Sequence, residues 1–176
     1  MDINISVKKT TLKNVLMFEH YWHEDHRGTY EQLYNKRDYG ELIRRETGLD
    51  IEFLEDDFAL SSRHVLRGIH GDDRTWKLIT CLRGRYYIAV VNCNMESEDF
   101  GKWEGFVLSH GNRRQLLLPP WHGHGYLVMT EDSIFHYKQS AIYEGAFKQF
   151  TYAYNDPRFD IWWPVDNPIL SKRDKL

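Results

Sequence analysis

Histidine is the residue type with the most chemical range in this chain, and six of its nine histidines fall between residues 64 and 136: His64, His70, His110, His122, His124 and His136. An imidazole whose free pKa is about 6.5 accepts or donates a proton at neutral pH, and a carboxylate behind it fixes its tautomer and stabilises the charged form. His70 closes the stretch RGIHG (67–71). One candidate arrangement is a metal-free acid/base set of His70 with Tyr137, Asp156 and Lys77, in which histidine would take a proton, aspartate orient it, tyrosine donate from the other side and lysine stabilise an oxyanion. A second arrangement uses the pair His122 and His124, two residues apart and on one side of an extended chain, with His70 as a third nitrogen ligand for zinc or iron. The residue types alone leave both open.

Arg27, Arg63, Arg67, Lys77 and Lys138 are the candidates for holding an anion, since the arginine fork matches phosphate oxygens. Nothing in the chain has the glycine spacing of a P-loop or a dinucleotide fingerprint. The formal net charge of -3 gives no general attraction to a nucleic-acid backbone, so any phosphate site must be local. Cys81 and Cys93 lack the second pair that a thiolate zinc site needs and fit a reducing compartment. No segment is apolar for long enough to span a membrane, and MDINISVKKT lacks the apolar core of a secretory signal, so a cytoplasmic protein is expected.

These residues need a frame. At 176 residues, without repeats or a Pro/Gly-rich linker, the chain is expected to form one domain with its own core. DYGELIRRETG (38–48) is the one segment with helical spacing, closed by Gly48. Around it lie many short apolar runs separated by turns: VLMFEHYW, TYEQLY, EFLEDDFAL, HVLRGI, WKLITCL, RYYIAVVNC, WEGFVLS, RQLLLP, GYLVM, SIFHYKQ and KQFTYAY. Short strands at this density with little helix predict an all-β sandwich or small barrel.

Taken together and in order, DHRGTYEQ (25–32), SSRHVLRGIH (61–70), WKLITCLRG (76–84), FGKWEGFVLS (100–109), LLLPPWHGHGY (116–126), YKQSAIY (137–143), YNDP (154–157), IWWP and ILSKRD resemble the nucleotide-diphosphate 4-keto-6-deoxy-sugar 3,5-epimerases. The resemblance implies a cupin-like jelly-roll sandwich with short peripheral helices, no metal or other cofactor, and a homodimer in which the N-terminal segment serves the partner's sheet or site. It further implies His70 as the base, Asp156 as its partner, Tyr137 as the acid and Lys77 as the stabiliser of an enolate. By the same resemblance Arg67 and Arg27 contact the nucleotide or diphosphate, while Tyr143 and His124 line the substrate site, with Tyr30 in the family's aromatic position beside Arg27. The sibling chemistries are a 3,4-ketoisomerase, a non-catalytic sugar-binding module and a metal-dependent cupin.

Where thymidine-linked members carry Gln-Asp-Asn, this chain has Glu55, Asp56 and Asp57, and the segment after His70 is the short GDDRTW. Carboxylates only accept hydrogen bonds, so Glu55 and Asp57 suit a base edge rich in N–H groups. This leads to the expectation of a GDP-linked 4-keto hexose or heptose, of the kind used in capsule or lipopolysaccharide sugars, with a dTDP-linked 4-keto-6-deoxy sugar as the alternative.

Overall fold

The computed structural model describes residues 5–175. Their strands are β1 (Ile5–Lys9), β2 (Leu16–His20), β3 (His23–Asp25), β4 (Gly28–Tyr30), β5 (Glu55–Ser61), β6 (Leu66–Gly71), β7 (Lys77–Arg83), β8 (Arg85–Asn92), β9 (Trp103–Ser109), β10 (Arg114–Leu118), β11 (His122–Val128), β12 (Ser133–Gln139) and β13 (Phe150–Thr151). Helix α1 (Lys36–Thr47) and a 3-10 turn at Ala146–Lys148 complete the set. A six-stranded sheet runs β1-β2-β10-β7-β12-β5, a five-stranded sheet runs β13-β6-β11-β8-β9, and β3-β4 form a separate hairpin.

The two larger sheets pack face to face as a jelly-roll sandwich. Ile79, Leu116, Leu118 and Phe135 of one sheet meet Tyr86, Ile88, Val90, Leu108 and Val128 of the other in the central core. The outer face of the five-stranded sheet is covered in turn, with Tyr87, Ala89, Val91 and Leu127 lying under Phe159, Ile161 and Trp163 of the C-terminal segment. Strand β8 is therefore buried on both faces beyond its first residue, which is why YYIAVVN does not alternate.

Helix α1 covers the outer face of the six-stranded sheet. Its apolar residues at three- and four-residue spacing, Tyr39, Leu42 and Ile43, pack on Leu16, Phe18, Leu78 and Leu117. Asn35 caps it by accepting from the Asp38 amide at 2.8 Å, and Gly48 ends it at φ 77°, donating to Arg44 O. Beneath it, His20, Tyr39 and Gln115 share hydrogen bonds, and Gln115 Nε2 donates to Thr80 Oγ1 at 2.7 Å. None of the helices among the described residues is long and apolar enough to cross a membrane.

Most predicted strands stand within a few residues of their expected places. The differences are local. TYEQLY contributes only its first residues to β4, KQFTYAY narrows to the two residues of β13, and β1 was not foreseen because ISVKK is too short and too polar to stand out before β2 pairs with it.

Candidate active site

The site lies between the sheets at one end of the sandwich. Arg67 and His70 are three residues apart on β6, so a regular strand would turn them to opposite faces. A break in register interposes one extra residue: His124 of β11 pairs with His70, but Tyr126 pairs with Arg67. This bulge brings both side chains into one cavity. Gly68 makes it feasible, because its φ is +118° and a Cβ there would stand 2.5 Å from Gly125 Cα and His124 O.

The cavity holds about 330 Å³ and is walled by both sheets and the C-terminal tail. His70 and His124 stand on the five-stranded sheet, and Lys77 and Tyr137 on the six-stranded sheet opposite. Arg67, Tyr143, Gln139, Gln149, Ser171, Arg173 and Asp174 complete the polar lining. Six of the residues expected from sequence thus meet in space: His70, Tyr137, Lys77, Arg67, His124 and Tyr143.

Asp156 is not among them. It takes a two-pronged bond from Arg158, with Nη2 at 2.6 Å and Nε at 2.9 Å, in a loop outside the cavity. The carboxylate beside His70 is Asp174, whose Oδ1 lies 2.6 Å from His70 Nε2. Its Oδ2 accepts from Ser171 Oγ at 2.7 Å. Burial raises the Asp174 pKa, but the hydrogen bonds from His70 and Ser171 outweigh it and hold the carboxyl below its ordinary value. Asp156 and Asp174 both lie in polar stretches near the C-terminus, and only chain closure distinguishes them. A hint was present in ILSKRD, where Ser171 precedes Asp174 by the three residues of a side-chain-to-backbone turn.

Tyr137 is pushed up to about 12, first by burial and then by the negative charges of Asp57 and Glu55, so it stays a neutral proton donor at physiological pH. Lys77 is only 5% exposed, and burial lowers its pKa against the opposing pull of Asp72. His124 stacks on Phe135 and its Nδ1 has no partner among the described residues. Burial, with Lys77 and His70 adding to it, holds this imidazole well below the ordinary histidine range, which keeps it neutral. Arg173 is gripped by Thr151 Oγ1 at 2.6 Å and Gln149 Oε1 at 3.2 Å, so with Arg67 and Lys77 it gives the cavity three cationic groups, one from each sheet and one from the C-terminal tail.

Glu55 and Asp57 reach the site indirectly. Gln139 Nε2 donates to Glu55 Oε1 at 2.8 Å and Asp57 Oδ2 at 3.2 Å, and the Tyr143 amide donates to Glu55 Oε2 at 2.9 Å. Their acceptors therefore hold Gln139 and the Tyr143 loop instead of facing the cavity as free groups. Arg27 and Tyr30 lie on the β3–β4 hairpin, where Arg27 Nη2 bonds Asp25 at 2.6 Å and Tyr30 is 73% exposed, outside the cavity of their own chain. His122 does not join His70 and His124; its Nδ1 lies 3.3 Å from Pro120 O, and the described residues contain no cluster of three or more His, Cys, Asp or Glu side chains placed to hold a metal ion. Asp174, Arg173, Gln139, Gln149 and Ser171 were not foreseen as site residues.

Comparison with known proteins agrees with this geometry. Residues 9–176 match the family described as dTDP-4-dehydrorhamnose 3,5-epimerase. The Shigella flexneri dTDP-4-dehydrorhamnose 3,5-epimerase is 33% identical over 97% of this chain and 93% of its own. The Salmonella typhimurium enzyme of the same name is 34% identical over 96% and 91%. Among solved structures, the Bacillus anthracis dTDP-4-dehydrorhamnose 3,5-epimerase with TDP and pyrophosphate bound superposes with a TM-score of 0.89 at 30% identity, covering 98% of this chain and 97% of that one. The Legionella pneumophila dTDP-6-deoxy-D-glucose-3,5-epimerase in complex with dTDP-4-keto-L-rhamnose gives 0.88 at 29% identity, covering 97% and 89%. With a family match over residues 9–176 and relatives above 30% identity over nearly the whole chain, the chain belongs to the dTDP-4-dehydrorhamnose 3,5-epimerase family of nucleotide-sugar isomerases.

Proposed function

We propose that this chain epimerises a dTDP-linked 4-keto-6-deoxy sugar at the carbons flanking its ketone, with His70 as base and Tyr137 as acid. The observation that carries this is their placement on facing sheets across one cavity, since inversion needs a proton removed from one face and returned to the other. The C4 ketone acidifies C3 and C5. His70 takes the proton through the ring nitrogen that Asp174 does not occupy, and Asp174 stabilises the imidazolium. The electron pair moves to the ketone oxygen, where the Lys77 ammonium and a neutral His124 N–H supply the stabilising field. Tyr137 then protonates the carbon from the opposite side, and before the next turnover the Tyr137 phenolate takes a proton from solvent while the His70 imidazolium releases one to it. Arg67 and Arg173 carry the diphosphate. Every step is proton transfer by this chain's own side chains.

The dTDP reading replaces the expectation of a GDP-linked hexose or heptose. The family relatives are named for dTDP sugars, and Glu55 and Asp57 are engaged by Gln139 and the Tyr143 amide. The functional unit in this proposal is a homodimer. In its favour, the edge strand β5 exposes Phe58 at 71% and Leu60 at 63%, and the Arg27–Tyr30 hairpin projects away from its own cavity.

Parallel assays with dTDP- and GDP-linked 4-keto-6-deoxy hexoses and GDP-linked 4-keto heptoses test the assignment. The expected result is a kcat/KM at least about tenfold higher for the dTDP sugar, the discrimination that one lost base contact produces. Equal or higher kcat/KM with a GDP sugar would return the nucleotide assignment to GDP.

A further inference from the structure

We infer that Ser171 is a positioning residue for proton abstraction, acting on His70 through Asp174. The inference rests on the assignment of His70 and Asp174 as a working pair. Asp174 is 2% exposed, and its two carboxylate oxygens are divided between partners: Oδ1 to His70 Nε2 at 2.6 Å and Oδ2 to Ser171 Oγ at 2.7 Å. A carboxylate held by one bond alone swings about its Cα–Cβ and Cβ–Cγ bonds; a second donor on the far oxygen fixes the plane in which it meets the imidazole.

The Ser171 hydroxyl does this from a closed turn. The Asp174 amide bonds back to Ser171 O at 3.2 Å and to Ser171 Oγ at 3.3 Å, so the hydroxyl is set by the backbone that carries its acceptor. The turn is itself tied to the sandwich. Ile169 exchanges backbone bonds with His64 and Leu66 just before it, and Arg173 within it grips Thr151, whose backbone registers with His70. The C-terminal segment thus delivers the carboxylate already oriented.

Kinetics of the full-length chain with a dTDP-linked 4-keto-6-deoxy sugar, together with thermal melts, test this role. Ser171→Ala is expected to lower kcat roughly tenfold with KM within about twofold and a melt lowered by only a few degrees, the pattern of an interaction that matters in the transition state. Ser171→Thr, which keeps the hydroxyl at an exposed position, is expected to return kcat to within about threefold of the parent. Parental kcat in Ser171→Ala, or a loss that Ser171→Thr does not restore, would overturn the inference. Asp174→Asn separates the two levels: if it is slow while Ser171→Ala is normal, only the role of Ser171 fails; if it is as fast as the parent, the His70–Asp174 pairing fails as well.

Discussion

His70 Nε2 and Asp174 Oδ1 lie 2.6 Å apart although 104 residues separate them in sequence. His70 therefore sits well inside the chain, on a strand fixed by its neighbours, while the carboxylate beside it arrives with the last turn of the C-terminal segment. In the proposed mechanism, His70 has its carboxylate only when that segment has docked.

Asp174→Asn is expected to cost between about 10² and 10⁴ in kcat, the range for a histidine left in the wrong tautomer. Asp156→Asn, which disturbs only the Arg158 pair, should leave kcat within about twofold. Steady-state kinetics of the two variants side by side check which carboxylate serves His70.

The same carboxylate ties stability to pH. Its folded-state pKa lies below the unfolded value, so its contribution is present at neutral pH and lost as pH falls through the lowered value. Denaturant titrations should show Asp174→Asn less stable than the parent at pH 7, with the gap closing in acid.

At alkaline pH the first group to fail should be Lys77. Burial holds it below the ordinary 10.5 of a lysine, whereas Tyr137 is pushed up to about 12. The alkaline limb of the kcat/KM profile is expected below pH 10.5 in the parent. In Lys77→Arg, whose guanidinium stays charged, that limb should move up even though kcat falls, and a pH–rate series measures it.

Gly68→Ala should destabilise the fold by roughly 2–4 kcal/mol, because a Cβ there meets the β11 backbone and the φ is one that alanine resists. Chemical denaturation gives the value directly. Activity should fall further than stability does, since the same bulge aims Arg67 and His70.

How much of this was legible beforehand depended on how local the cause was. Asn35, Gly48 and the spacing of Tyr39, Leu42 and Ile43 specify α1 within their own segment, and the unbroken apolar run in β8 marks a strand covered on both faces. The meeting of His70, Tyr137 and Lys77 was implied by likeness to a family, whereas residue types alone left it open beside a histidine metal site. Other features depended on what lies opposite. RGIHG contains the glycine that this bulge needs, but the register break appears only once β11 is alongside. Glu55 and Asp57 fall on one side of β5 by alternation, yet nothing in their own segment shows that Gln139 and the Tyr143 amide meet them. The choice between Asp156 and Asp174 is the clearest case, since it is settled by the path of the last dozen residues.

The most direct measurement follows deuterium from D2O into C3 and C5 of a dTDP-linked 4-keto-6-deoxy sugar by NMR, for the parent chain, His70→Ala and Tyr137→Phe. The account predicts deuterium with inversion for the parent, no incorporation for His70→Ala, and incorporation without inversion for Tyr137→Phe. Incorporation at the parental rate in His70→Ala would contradict it.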